Sequence, residues 1–478
     1  MGQPVTGADD SSLETVMVYA RRLTPVSRVA ATVTVIDQAR IETTLATDIR
    51  ELVRYEPGLS VRNDPFRFGL DTISVRGLGG NRVAVEVDGI PAAGGFAVGS
   101  YADSGRAYVD AAFVDRVEFL RGPASSLYGS DAIGGVVAMT TLTPESLLAR
   151  GESEYAVRTD AGFDSASDGW RAAALAAGAI GGMQWLVGYS RREGHESDTA
   201  ADVTPNPSEY TNDSALMKVT GAVPGGPMTL TAEAGRIQQA TDVDAFLGVG
   251  RFLNTTALAG DDEMLRYRVS LGQALTGANA AFDSADWSAY WQGTETDQDT
   301  YEVRRAVPPR TPPVQLDRTF KFDESAFGVE FTAVKSLGSG SIVHDVVYGF
   351  EATRSELDEL RNGLQTDLTT GATTPTILGE TFPLRDLPLS TVIEVGAFVQ
   401  DEVQFDDARW TLVPALRVDY YELTPETDRI YREDNPATEP AGVDEVSFAP
   451  KLGATYRIND RLGVFFQYAH GFRSPPPE

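Results

Sequence analysis

After Pro144 the chain is written in period two. Leu265, Tyr267, Val269 and Leu271 fall on one side of an extended backbone, and Arg266, Arg268, Ser270 and Gly272 on the other. Trp287, Ala289 and Trp291 oppose Ser288, Tyr290 and Gln292; Ala397, Val399 and Val403 oppose Phe398, Gln400, Glu402 and Gln404. Side chains of a strand point alternately to its two faces, so such segments have an apolar face and a polar one. For three strands alone a soluble sandwich with the apolar face inside explains this. Here the pattern recurs over about 13 segments of roughly 10–16 residues, which suits a wall with lipid outside and water inside. The connections alternate as well. Short turns fall at Gly181-Gly182, Pro224-Gly225-Gly226, Thr276-Gly277, Gly338-Ser339-Gly340, Asp406-Asp407 and Asn459-Asp460. Long polar stretches lie between them, near 193–210, 239–262, 295–315, 357–389 and 423–443. Short turns at one end and long loops at the other are the habit of transmembrane β-barrels.

Composition narrows the function classes. The 478 residues carry a net charge of -29, so nucleic acid is not an expected partner. No cysteine is present, which removes thiolate metal sites and redox motifs. No apolar run reaches the roughly 18 residues of a membrane helix. The stretch MGQPVTGADDSS has neither a basic region nor an apolar core of a secretion signal, so an exported protein would have to be a mature form or a fragment here. None of the metalloprotease, P-loop or Cys–His patterns occurs, and His195, His344 and His470 read as solvated or lumen-facing side chains. No catalytic residue is assigned and no enzyme activity is expected.

The first third is different. Residues 1–13 are polar and read as disordered. Glu14-Thr15-Val16-Met17-Val18-Tyr19-Ala20 is a short β-prone segment: an ordinary first strand, or a peptide that adds a strand to a partner's sheet. Residues 31–37 alternate as a strand. Ile41, Leu45, Ile49, Leu52 and Val53 recur at helical spacing, Asp48 and Glu51 could form a capping box, and Pro57-Gly58 ends the helix. Strand-like segments follow at 71–76 and 82–87, with a turn at Asp88-Gly89. Residues 28–142 thus read as a small α+β domain. Its last part is VDRVEFLRGPASSLYGSDAIGGVV, residues 114–137, where a strand runs into Arg121-Gly122-Pro123 and is followed by Tyr128-Gly129 and Gly134-Gly135.

That segment resembles the signature that closes the plug domain of TonB-dependent outer-membrane receptors. Ile73-Ser74-Val75-Arg76-Gly77, Asn81-Arg82-Val83 and Val87-Asp88-Gly89 resemble plug sequence too, and 14–20 resembles a TonB box. Phe472-Arg473-Ser474-Pro475, after the last strand and at the start of an extracellular loop, resembles the FRAP-type box of such receptors. The resemblance implies a disordered N-terminus over 1–27 with the box at 14–20, a plug over 28–142 and a partial barrel over 150–478. Plugged barrels have about 22 strands, so about 13 predict a C-terminally truncated chain whose sheet is open at its last strand.

The function implied is energised uptake across the bacterial outer membrane. The partners would be the periplasmic TonB protein, outer-membrane lipid and an iron-containing ligand. No intrinsic cofactor is implied; haem or a ferric chelate would be cargo. The Gly80-Asn81-Arg82-Val83 wording leans toward haem and haemoprotein receptors, with ferric siderophores and cobalamin as alternatives. Haem receptors would use histidines at the plug apex and beyond the FRAP box. Here the plug has none and His470 precedes the box, which leaves Tyr101 and His470 as weak ligand candidates. Arg76 and Arg121 are expected to face lumen carboxylates, with Glu330, Glu351 and Glu402 as partners. Two other classes stay open: a soluble β-rich binding or adhesive protein, and a passive porin.

Overall fold

The computed structural model describes residues 15–17, 21–22, 24–25, 29–61, 72–97, 103–104, 109–149, 153–197, 205–277, 279–309, 311–405, 409–459 and 462–475. Glu14, Val18, Tyr19, Ala20 and Tyr101 lie outside them.

A small mixed sheet comes first. Its strands are β1 (Thr32–Asp37), β2 (Val83–Val87), β3 (Ile90–Pro91), β4 (Val114–Arg121) and β5 (Gly135–Thr141), in the order β1-β4-β5-β2-β3. Only β5 and β2 run parallel. Helices α1 (Gln38–Thr44) and α2 (Ile49–Val53) close one face over a core that includes Ile36, Ile41, Val53, Val117, Phe119 and Val137. The single helix expected over 41–53 is two. Leu45 takes a left-handed conformation (φ 55°) and ends α1, and Asp48 restarts the chain by accepting from Glu51 N at 2.8 Å. The Glu51 carboxylate bonds Thr47 N and Oγ1 instead of Asp48, so the expected capping box does not form.

The wall follows: β6 (Tyr155–Asp164), β7 (Gly169–Ile180), β8 (Met183–His195), β9 (Ser208–Val223), β10 (Gly226–Asp242), β11 (Thr255–Thr276), β12 (Ser284–Arg304), β13 (Val314–Ser339), β14 (Ile342–Asp367), β15 (Leu389–Phe405), β16 (Trp410–Glu426), β17 (Val443–Asn459) and β18 (Leu462–Ala469). They pair antiparallel in chain order from β6 to β18, and a two-residue strand, Thr373–Thr374, hangs on β14. No helix of the described residues is long and apolar enough to cross a membrane. The wall would cross with strands.

Burial decides which face is inside. On β11, Arg268 is 1 % exposed while its neighbour Val269 is 45 % exposed. Trp291, Phe327, Phe350 and Leu416 are likewise exposed, and Glu233, Gln292 and Glu402 are buried. A soluble sandwich would hide the apolar set and wet the polar one; this wall does the reverse.

The loops are shorter than the polar stretches suggest. The loop expected near 239–262 shrinks to the residues between Asp242 and Thr255, and that near 295–315 to those between Arg304 and Val314. Charged residues there pair by backbone in register, as Glu263 with Asp297 and Asp297 with Lys321. β13 and β14 reach 26 residues each, well beyond the roughly 9–11 that cross a bilayer. Side-chain polarity marked solvent, but it did not mark the end of pairing.

Candidate functional site: the joint between plug and wall

Seven wall strands send polar side chains to one small domain, so the wall curves around the plug. Arg192 on β8 pairs with Asp110 at 3.1 Å. Gln292 on β12 donates to Pro91 O at 2.8 Å. Asp88 is the busiest point. It takes Lys218 from β9 and Arg268 from β11, both at 3.2 Å, and bonds Thr141 N at 2.8 Å and Oγ1 at 2.7 Å. Asp88 (φ 53°) and Gly89 (φ 82°) form the left-handed turn between β2 and β3, which carries the carboxylate to the wall. Burial alone would raise the Asp88 carboxyl, but Lys218, Arg268 and Thr141 outweigh it and hold it below the usual carboxylate range.

A second contact set lies at the N-terminal segment. Arg21 pairs with Glu86 of the plug at 3.1 Å and with Glu351 of β14 at 3.4 Å. Its guanidinium sits 4.6 Å from the Tyr128 ring centre and 5.3 Å from that of Phe398. Arg22 pairs with Asp345 at 3.2 Å and with Glu402. These arginines follow the box-like segment. Thr15↔Pro25 and Val16↔Thr24 pair antiparallel, and Met17 N donates to Glu118 Oε2 at 2.8 Å.

Arg76 and Arg121 do not face the lumen carboxylates, contrary to expectation. Arg121 ends β4 beside Thr32 of β1, and its side chain turns under the plug. There it meets Thr34 Oγ1 (2.7 Å), Pro57 O (3.1 Å) and Glu56 (3.4 Å). Arg76 reaches Thr32 Oγ1 at 3.4 Å. Glu351 and Glu402 do receive arginines, but from positions 21 and 22. Arg417 of β16 also binds Glu351, with Asp419 at 2.7 Å and Leu127 O at 3.0 Å. Lys218, Arg268, Arg417, Arg21 and Arg22 were missed in the sequence. The three in strands sit in unremarkable alternation, and their one signal was a basic residue on the polar face of an acidic chain.

The motif glycines allow close approach. A Cβ on Gly129 (φ +69°) would lie 2.7 Å from Arg417 Nη2, and one on Gly135 would lie 2.2 Å from Leu120 O. Gly134 N donates to Arg82 O at 2.7 Å and Gly122 N to Gly134 O at 3.0 Å, closing the crossing. Gly77 (φ 84°) turns the chain after Arg76. Asn81 holds Gly95 through a reciprocal pair of bonds, at 2.9 and 3.0 Å.

The FRAP-like box returns to the plug signature. Phe472 N donates to Ser125 Oγ at 3.3 Å, Ser474 N to Ser130 Oγ at 3.1 Å, and Arg473 lies 3.6 Å from Asp131. Tyr421 of β16 donates to Pro475 O at 2.7 Å, and Gly471 faces Pro123. His470 N bonds Pro450 O, which fixes it beside β17. Tyr128, Arg473, Arg417, Glu351 and Asn81 line one cavity of about 230 Å³ between plug and wall.

Comparison with known proteins accords with this arrangement. The family description TonB-dependent Receptor Plug Domain matches residues 25–136, and TonB dependent receptor-like, beta-barrel matches 202–478. The vitamin B12 transporter BtuB of Vibrio vulnificus (strain CMCP6) is 34% identical over 137 residues, 28% of this chain and 21% of that protein. Transferrin-binding protein A of Haemophilus influenzae is 28% identical over 218 residues, 42% of this chain and 23% of that protein. Among solved structures, the Serratia marcescens hemophore receptor HasR, in complex with its hemophore HasA and heme, superposes with a TM-score of 0.68 at 16% identity. The match covers 94% of this chain and 64% of that one. The ferric citrate transporter FecA gives 0.64 at 17% identity, covering 97% and 66%. This chain therefore spans under two thirds of HasR and under a quarter of either curated relative. A plug-domain match followed by a barrel match over more than half the sequence, on an inside-out wall, identifies the chain as a member of the TonB-dependent receptors of the bacterial outer membrane.

Proposed function

We propose that the protein takes up an iron chelate or cobalamin across the outer membrane, driven through TonB, with haem or a haemoprotein as the first ligand to test. One observation carries this reading: the plug is seated in the lumen, by ion pairs at Asp88 and through Arg21, which joins Glu86 to Glu351, and by apolar packing of Phe113, Leu142 and Leu147 on Leu175, Leu186 and Leu216. Buried ion pairs contribute little net stability once their desolvation is counted, so the polar part of the seat adds orientation more than binding strength. A seat that can be released suits a gate; a passive pore has no use for one. The pairing of Thr15–Val16 with Thr24–Pro25 would be given up when that strand adds to a TonB sheet. The haem reading draws on the Asn81-Arg82-Val83 wording and on the likeness to a hemophore receptor; the ferric citrate and vitamin B12 relatives support the broader class. The test is growth of cells whose full-length receptor is the sole transporter, on haemin, ferric citrate, a ferric trihydroxamate or cobalamin. Growth on one of these that requires TonB supports the reading. Growth on none, with the receptor present in the membrane, refutes it.

A further inference from the structure

We propose that residues 427–442, at the loop end of the wall, form a flap whose position is set by one residue of the neighbouring loop, Arg385, and that loss of the contacts to Arg385 frees it. The flap joins β16 to β17 and holds a short helix, α3 (Arg429–Asp434). Asp428 starts that helix by accepting from Tyr431 N at 2.8 Å through Oδ1. Its other oxygen, Oδ2, lies 3.4 Å from Arg385 Nε. At the far end of the helix, Asp434 Oδ2 accepts from Arg385 N at 3.3 Å, and Asn435 Nδ2 donates to Arg385 O at 3.0 Å. Both ends of α3 therefore close on one residue. Apart from the strand ladder at its two roots, every hydrogen bond and ion pair that leaves 427–442 among the described residues ends on Arg385.

Arg385 is a fixed post. It is buried, and its Nη1 donates to Asp358 and to Glu359 O at 2.6 Å, both on β14. The next two residues are held there too: Asp386 N and Leu387 N donate to Glu359 Oε2 at 2.8 and 3.3 Å. On the other side Leu384 exchanges backbone bonds with Arg361, at 2.8 and 2.9 Å. Farther back, Ile377, Phe382 and Leu384 pack on Val314 and Leu316 of β13. The loop that carries Arg385 is thus bound to the wall by apolar packing and by β14. The flap buries only Tyr431. Segments with few buried apolar groups and few backbone bonds are the ones that open locally. The flap fits that description and the stretch 376–387 does not. The flap springs from β16 just beyond Tyr421, which lines the cavity of about 230 Å³ between plug and wall. Freeing it changes the approach to that cavity from the loop end.

The test uses the full-length receptor in detergent, with a nitroxide on T438C in the flap or on T381C in the neighbouring loop, both exposed positions. This chain supplies no competing cysteine. Both labels are expected to be immobilised on the otherwise wild-type protein. In R385Q/D434A/N435A the ion pair and both hydrogen bonds between flap and post are gone. The flap label is then expected to lose its immobilised spectral component, while the T381C label keeps its own. R385K retains a charge beside Asp358 and Asp428 and leaves both spectra unchanged. D434A/N435A, with the Arg385 side chain in place, is expected to lose part of the immobilised component, and it decides the matter if circular dichroism shows that the triple variant does not fold. A flap label that is mobile in the wild type, or that stays immobilised in the folded variants, overturns the inference; the second result assigns the hold to Tyr431. Equal mobilisation of both labels also overturns it, because Arg385 would then be a support of its own loop. None of these results bears on the iron-chelate reading.

Discussion

Arg268 on the wall, 1 % exposed, donates through Nη2 both to Asp88 on the plug at 3.2 Å and to Glu233 of its own sheet at 3.0 Å, and through Nη1 to Val87 O of the plug. The wall arginine is therefore oriented by its own sheet before the plug carboxylate arrives. Asp88 is the acceptor that two wall cations, Arg268 and Lys218, share.

Asp88→Asn keeps the shape of the turn and removes the charge. Lys218 then loses its carboxylate, while Arg268 retains Glu233. Breaking one side of a buried pair costs about 3–5 kcal/mol, and the residual amide contacts reduce that. The expected outcome is a loosened plug, read as increased entry of a large antibiotic into cells carrying the full-length receptor. Asp88→Glu recovers part of the exclusion.

The pH response of the seat has opposite signs at its two carboxylates. Asp88 is held below the usual range, so its contribution is complete above about pH 4 and falls only as acid passes through its depressed value. Burial pushes Glu86 upward against the pull of Arg21. Its contribution is full below about pH 4.3 and is lost as pH climbs through its raised value. Of the two, Glu86 is the one that titrates between pH 5 and 8. Glu86→Gln mimics its protonated form, so the variant is expected to gain in melting temperature over the wild type as pH rises from 5 to 8.

Gly129→Ala drives a methyl group toward Arg417 Nη2 at a backbone angle that disfavours alanine. Gly340→Ala meets the same angular strain in open space. The difference between the two variants isolates packing. Gly129→Ala is expected to cost about 1–3 kcal/mol more in thermal or denaturant unfolding, through displacement of Arg417 from Glu351 and Leu127 O.

Arg121 belongs to the plug's interior. Arg121→Gln removes the bonds to Thr34 Oγ1 and Pro57 O and one of the two guanidiniums on Glu56, which keeps Arg40 at 2.5 Å, and is expected to destabilise the plug by about 1–3 kcal/mol. Limited proteolysis of the full-length protein will cut within 29–61 sooner than in the wild type. Wall strands keep their protection, because no wall contact of Arg121 is lost.

The wall was legible because period two is a local property: Leu265 to Gly272 state their two faces without any knowledge of the partner strand. The order of strands followed from the alternation of short and long gaps. Strand ends were not legible, since charged pairs such as Asp297 and Lys321 look like loop and fold as sheet. The plug signature was visible in Gly129, Gly134 and Gly135. The partner of Arg121 was not, because which side a strand-end arginine turns to depends on packing 64 residues away, at Pro57. Arg21 and Arg22 had no signal beyond charge, and their acceptors on the wall lie more than 300 residues downstream.

Uptake by cells carrying the full-length receptor with Val16→Pro tests the central claim most directly, with a radiolabelled chelate that supports growth of the wild type. Proline removes a backbone donor and bars strand addition at that point. The account predicts that ligand still binds at the cell surface while energised uptake falls to the level of cells lacking TonB. Uptake at the wild-type rate would contradict it.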